Sequence, residues 1–233
     1  MIDVHCHILS NIDDGASDFD ESLEMAKIAS KDGITKIIAT PHVYDEKYTI
    51  ADIIQRVDRL NRLLKQNNIP VQIYPGAEVS ISLDPAIIPK YTLNNTKYTL
   101  IEFPHTHLPS FAGKILAWLI AKDLKPIIAH PERNFSIIRS PELLLNLLNN
   151  NIYVQITAGS LTGDFGGDIQ YCADYLLNSG KVDVIASDAH SPEFRTPVLS
   201  EAAEIAAAHL NKKASHRLVS TNPAAILTGD EIH

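Results

Sequence analysis

His5 and His7 stand two apart near the start of the chain, in the run Asp3-Val4-His5-Cys6-His7. Alternate residues of an extended segment project to one face. Both imidazoles can therefore reach one cation, while Cys6 points away as a small buried hydrophobe. The same side-chain types recur along the chain. Asp14 lies in the polar turn Asp13-Asp14-Gly15, His42 follows Ile37-Ile38-Ala39-Thr40-Pro41, and Glu78 follows Ile73-Tyr74-Pro75-Gly76-Ala77. Glu102 interrupts the apolar run Leu100-Ile101-Glu102-Phe103, and His130 follows Ile127-Ile128-Ala129. Asp188 and His190 follow Val184-Ile185-Ala186-Ser187 and again stand two apart. Imidazole and carboxylate without thiolate suit manganese, iron or zinc better than copper(I) or an iron–sulfur cluster. Nine such groups exceed the needs of one ion, so two or three divalent ions are expected. Three dications would outweigh the four carboxylates and leave a site that attracts phosphate.

Two arginines fit that chemistry. Arg133 lies three residues after His130, and Arg195 five residues after His190 in a loop of Ser and Pro. Guanidinium grips phosphate bidentately. Asp3 and Asp13 are expected to shape the turn or orient a histidine from behind. His105 and His107 are expected at the site mouth; His209, His216 and His233 fall late in the chain and read as surface groups. The pair Asp18 and Asp20 lacks a preceding apolar strand, so an aspartyl-phosphate mechanism is set aside. A cysteine-dependent phosphatase needs an arginine six positions after its cysteine. Those positions hold Ile12 after Cys6 and Asn178 after Cys172. No G-x-S-x-G elbow occurs either.

The ligands must be positioned by the elements that precede them. Strand-like runs fall at residues 2–4, 36–40, 71–74, 99–103, 126–129, 153–156 and 182–186. Helical patterns fall at 21–31, 51–66, 111–121, 141–149, 169–178 and 199–210, with a last helix starting at Asn222-Pro223. On the helix over 51–66, Ile53, Ile54, Val57, Leu60, Leu63 and Leu64 share one side. Alternation of this kind predicts a parallel α/β sheet closed into a barrel, with the carboxyl ends of its strands converging on one face. An open doubly wound sheet is the alternative. No G-x-G-x-x-G or P-loop supports nucleotide binding. The 233 residues fit one domain, 1–233, without a linker. A net charge of -8 disfavours a nucleic-acid binder. Two cysteines make no disulfide framework. The start of the chain does not read as a signal peptide, and no run is long enough to span a membrane, so a cytoplasmic protein is expected.

In order along the chain, the runs His5-x-His7, Asp13-Asp14-Gly15, Thr40-Pro41-His42, Leu100-Ile101-Glu102-Phe103-Pro104, His130-Pro131-Glu132-Arg133-Asn134 and Ser187-Asp188-x-His190 resemble the PHP (polymerase and histidinol phosphatase) superfamily. Within it, the likeness is to manganese-dependent bacterial protein-tyrosine phosphatases of capsular and exopolysaccharide synthesis. The resemblance implies a distorted seven-stranded barrel and a trinuclear Mn²⁺ centre. His5, His7, Glu78 and Asp188 would hold one ion; Glu78 would be shared with a second, also bound by Glu102 and His130. Asp14, His42 and His190 would hold the third. Arg133 and Arg195 match phosphate-binding positions. The implied reaction is hydrolysis of phosphotyrosine by a metal-activated hydroxide. The implied substrate is the tail of a bacterial tyrosine kinase. A histidinol-phosphate phosphatase and a non-catalytic, metal-stabilised binding module are the competing readings.

Overall fold

The computed structural model describes residues 1–232. Its strands are β1 (Ile2–Cys6), β2 (Lys36–Ala39), β3 (His42–Val43), β4 (Gln72–Pro75), β5 (Glu78–Ser80), β6 (Tyr98–Glu102), β7 (Lys125–Ala129), β8 (Tyr153–Thr157) and β9 (Val184–Ala186). β1, β2 and β4 pair in that order, and β3, β5, β6, β7, β8 and β9 pair in theirs. Every pairing is parallel, as an α/β alternation requires.

The sequence places seven strands; in the structure two of them resume past a break as the additional short strands β3 and β5. Thr40-Pro41 separates β2 from β3, and Gly76-Ala77 separates β4 from β5. Proline cannot donate to a ladder. Gly76 sits where a Cβ would meet Ile38 Cγ2 at 2.7 Å and Leu93 Cδ2 at 2.8 Å. At the far edge β9 runs into β1. Cys6 bridges Ala189 in parallel, Asp188 N donates to His5 O, and His7 N donates to Ala189 O, both at 2.8 Å. With each broken strand counted as one stave, pairing leads from β1 to β9 and back to β1.

Side chains alternate between two apolar clusters. One gathers Val4, Ile38, Leu100, Ile127, Tyr153 and Val184 from different strands, together with Ile226 and Leu227 of the last helix, Asn222–Thr228. The other packs the opposite strand faces, including Cys6, Ile37, Ile101 and Ile128, against the helices. Cys6 and Cys172 are both fully buried.

The helix Ile50–Gln66 buries Ile53, Val57, Leu60 and Leu64 behind a capping box of Thr49 and Asp52. Ile54, expected on that face, is exposed. Asp18 caps the helix Phe19–Lys31 by accepting from Glu21 N at 2.9 Å. The helix expected over 141–149 is formed only at Glu142–Leu145. Beyond it, Asn149 accepts from the Asn151 backbone, a local bond that competes with helix. A short helix that the periodicity misses, Phe135–Arg139, starts at Asn134, whose Oδ1 accepts from Ser136 N and Ile137 N. No described helix is long and apolar enough to cross a membrane.

Candidate metal centre

All nine side chains singled out by type and spacing meet at the carboxyl ends of the strands. One ligand atom from each of His7, Asp14, His42 and His190 lies within 4.8 Å of the others. The same holds for His5, His130 and Asp188, for His5, His7 and Glu78, and for His42, Glu78 and Glu102. The groups partly differ from those the resemblance implies. His130 Nε2 does contact Glu78 Oε1 at 2.8 Å, but it gathers with His5 and Asp188. Glu102 gathers with His42, 3.7 Å away. Asp14 is the exposed member of the set, with 67% of its side chain accessible, so the cluster is reached from that side.

Local structure dictates these placements. The register between β1 and β2 shifts between Asp3 and Cys6. His5, within that irregularity, and His7, past it, share the site face while Cys6 packs among apolar groups. Asp13 Oδ2 lies 2.7 Å from His7 Nδ1 and accepts from His42 N at 3.0 Å. It thus joins the segments that carry His7 and His42 and orients one ring, as expected of a residue behind the site. Asp3 does something else: it accepts from Ser187 Oγ, Ser187 N and His5 N, and touches no imidazole. Burial raises its carboxyl to about 6. Gln155, buried in β8, places Oε1 2.9 Å from His5 Nδ1. Gly15 packs so closely that a Cβ would stand 2.1 Å from His7 O. His130, Asp188 and Arg195 adopt φ of +28°, +51° and +57°. Non-glycine residues reach that region at a cost, and such residues gather at functional sites.

The donor set fits divalent ions. Glu78 is fully buried, and the nitrogens of His42, His5 and His7 stand 2.9, 3.3 and 3.5 Å from its Oε2. Even so, among the described residues no donor is aimed at that oxygen, nor is any hydrogen-bond partner aimed at the buried His190 Nε2. Burial and the neighbouring Glu78 charge push the Glu102 carboxyl up to about 7. Burial pushes the His130 imidazole down to about 4. A buried acid crowded by a second acid is the arrangement that a bound cation relieves.

Both arginines reach this cluster. Arg133 Nη1 and Arg195 Nη2 each lie 2.5 Å from Asp188 Oδ2, while Asp188 Oδ1 faces His5 at 3.3 Å and His7 at 3.4 Å. Two clefts open alongside. One of about 380 Å³ lies between Asp14, His42, Tyr44 and Tyr48; one of about 500 Å³ is lined by Gly159, Phe165, Phe194 and Arg195. The Tyr44 hydroxyl stands 3.1 Å from His42 Nδ1, and its ring stacks on that imidazole. His105 stacks on His130 at 5.4 Å and lies at the mouth, as expected. His107 instead contacts Thr106. His209 and His216 are exposed, and His233 lies outside the described residues. Sequence reasoning passed over Gln155, Tyr44 and Phe165. A polar residue inside the apolar run Tyr153-Val154-Gln155-Ile156 was the available signal for the first.

Fold and site together define an α/β protein with a candidate centre for several divalent ions. The sequence matches the family described as capsular polysaccharide synthesis, CpsB/CapC, over residues 1–228, and the chain belongs to that family. It is 42% identical over 201 residues to the tyrosine-protein phosphatase YwqE of Bacillus subtilis (strain 168), covering 84% of this chain and 79% of that one. It is 29% identical over 238 residues to the tyrosine-protein phosphatase CpsB of Streptococcus agalactiae serotype III, covering 97% and 98%. A solved structure from work on YwqE and on CpsB of Streptococcus pneumoniae, described as unique metal-dependent tyrosine phosphatases, superposes with a TM-score of 0.94 at 37% identity. It covers 100% of this chain and 96% of that one. A β-aspartyl dipeptidase of Fervidobacterium islandicum, 14% identical with a TM-score of 0.57, shares the fold.

Proposed function

We propose that this chain is a metal-dependent protein-tyrosine phosphatase, acting as one domain over 1–233. Its substrate is phosphotyrosine on a protein of capsular or exopolysaccharide synthesis, of which a bacterial tyrosine kinase in the cytoplasm is the expected example. The observation that carries this is the approach of Arg133 and Arg195 to Asp188, one member of the nine-residue His, Asp and Glu cluster. Family membership and the relatives' printed activities support it.

His5, His7, Asp14, His42, Glu78, Glu102, His130, Asp188 and His190 would hold two or three ions, with Mn²⁺ proposed and Fe or Zn chemically acceptable. Bound there, the ions supply an acidified water as nucleophile and a positive field for phosphoryl oxygens. Gln155 and Asp13 fix the His5 and His7 rings so that each Nε2 points into the cluster. Arg133 and Arg195 present guanidinium donors to the equatorial oxygens, where charge accumulates in the transition state. Neither cysteine serves as nucleophile, since burial raises both thiols and neither has an arginine at the required spacing. A phenolate leaves with a pKa of about 10, far better than an alkoxide, so the residues present suffice without a dedicated acid.

The test compares kcat/KM for a phosphotyrosine peptide and for histidinol phosphate, with added Mn²⁺ and with chelator. Chelator-sensitive preference for the peptide is expected. Preference for histidinol phosphate overturns the substrate assignment, and absence of any chelator-sensitive turnover overturns the enzyme.

A further inference from the structure

Arg133 and Arg195 are like charges directed at a single oxygen, Asp188 Oδ2. Something must keep them together when that oxygen is engaged elsewhere. The guanidinium carbons of Arg133 and Arg195 lie 4.7 Å and 5.8 Å from the centroid of one ring, that of Phe165. An aromatic face attracts cations through its quadrupole and holds a planar guanidinium by stacking.

The segment around Phe165 is built to put the ring there. Gly163 and Gly166 adopt φ of +89° and +93°, a region that side chains disfavour. Gly166 N donates to Gly163 O at 3.0 Å, and Gln170 Nε2 donates to Leu161 O at 2.9 Å, closing the turn. Beneath it, a Cβ on Gly159 would stand 3.0 Å from Phe165 Cε2, so this glycine lets the ring settle. Glu132, the residue before Arg133, accepts from Ser160 Oγ at 2.7 Å and Thr157 N at 2.8 Å. The arginine-bearing turn and the phenylalanine-bearing turn are thus tied to the same short helix, Ala158–Thr162.

We propose that Phe165 is a positioning residue for phosphate capture, its ring holding Arg133 and Arg195 side by side as a two-armed clamp on a phosphoryl group. This deepens the phosphatase assignment and rests on it for the identity of the anion. The ring touches neither the reacting phosphorus nor a metal ligand in this scheme; it acts through the two arginines.

The experiment uses the full chain loaded with Mn²⁺ and reads inorganic phosphate affinity by calorimetry, alongside kcat and KM for a phosphotyrosine peptide. Phe165→Leu is expected to weaken phosphate binding about tenfold, given two cation–π contacts. KM should rise with it, and bound metal should stay unchanged. Phe165→Tyr, which keeps the ring, should stay within about twofold of wild type. Gly159→Ala, which displaces the ring without removing it, should weaken phosphate several-fold and serves if the leucine variant misfolds. In an Arg195→Ala background, the leucine substitution should cost less than the full tenfold, about three- to fivefold, because the more distant of its two contacts is gone. Phosphate affinity unchanged in both Phe165→Leu and Gly159→Ala overturns the clamp, as does equal loss in Phe165→Tyr and Phe165→Leu. A wild-type protein that shows the phosphate dependence yet hydrolyses no phosphotyrosine sinks the phosphatase assignment and leaves the clamp standing.

Discussion

Gln155 and His5, 150 residues apart, meet through Oε1 and Nδ1 at 2.9 Å, and both side chains are fully buried. An amide oxygen can only accept, so the bond places the proton on Nδ1 and leaves the Nε2 lone pair facing Glu78, Asp188 and His7. Gln155→Ala should lower Mn²⁺ affinity about 10- to 100-fold, the usual effect of losing a residue that orients a ligand. Titration calorimetry reads it, and unchanged affinity would remove Gln155 from the site.

His42 and Arg133 separate two roles. His42→Ala removes a member of two ligand groups and should abolish turnover together with part of the bound metal. Arg133→Ala should lower kcat/KM about 10²- to 10³-fold while metal content by elemental analysis stays near that of wild type. Full activity in the arginine variant contradicts its placement against the phosphoryl group.

Chelation should act on the fold as well as on turnover. Asp188, His5 and His7 are buried where β9 joins β1, and Glu78 and His130 are buried on or just after β5 and β7. Ions that bind only the folded chain stabilise it by mass action. The melting temperature should fall on adding chelator and recover with Mn²⁺. A midpoint indifferent to both would show that the cluster needs no cation.

Asp183 offers a pH test remote from the candidate metal centre, just before β9 at its amino end. Burial raises its carboxyl from 3.8 to about 6, although it accepts from Val154 N at 2.9 Å. Between those values the unfolded chain has released the proton and the folded chain keeps it, so stability falls as pH rises from about 4 to about 6. Asp183→Asn does not titrate. Its stability relative to wild type should rise across that window, by no more than about 3 kcal/mol, and level off above it. Denaturant melts at pH 4, 5, 6 and 7 measure this; a constant difference refutes the assignment.

Gly15 tests the turn that carries Asp14. With His7 O 2.1 Å from any Cβ, Gly15→Ala must push that turn away from β1. Loss of Mn²⁺ affinity is expected to exceed that in Asp14→Ala, because Asp13 and its bond to His7 move as well.

The convergence of these side chains was legible in the sequence because all but Asp14, which sits in a polar turn, follow or interrupt an apolar run that reads as a strand. Strand ends of a parallel sheet share one edge, so type and position together predict convergence. Their grouping was not legible, since it depends on how far each side chain reaches across the ring: His130 gathers with His5 and Asp188, and Glu102 with His42 and Glu78. Gln155 escaped because an amide neither titrates nor follows the run that contains it. Phe165 escaped because Asp164-Phe165-Gly166-Gly167 reads as a plain loop, and its role depends on two arginines distant in the chain. The breaks at Thr40-Pro41 and Gly76-Ala77 were visible as residues. That pairing resumes beyond them is a property of the neighbouring strands.

The bonds from Asp188 N to His5 O and from His7 N to Ala189 O join segments that lie far apart in the sequence. A nascent chain lacking the region after residue 184 has an open edge at β1 and half of an unfinished pocket. Contacts this distant in sequence form late and slowly. Translation must therefore pass Asp188 and His190 before the nine side chains can gather, and a product that stops short of them lacks two members of the cluster.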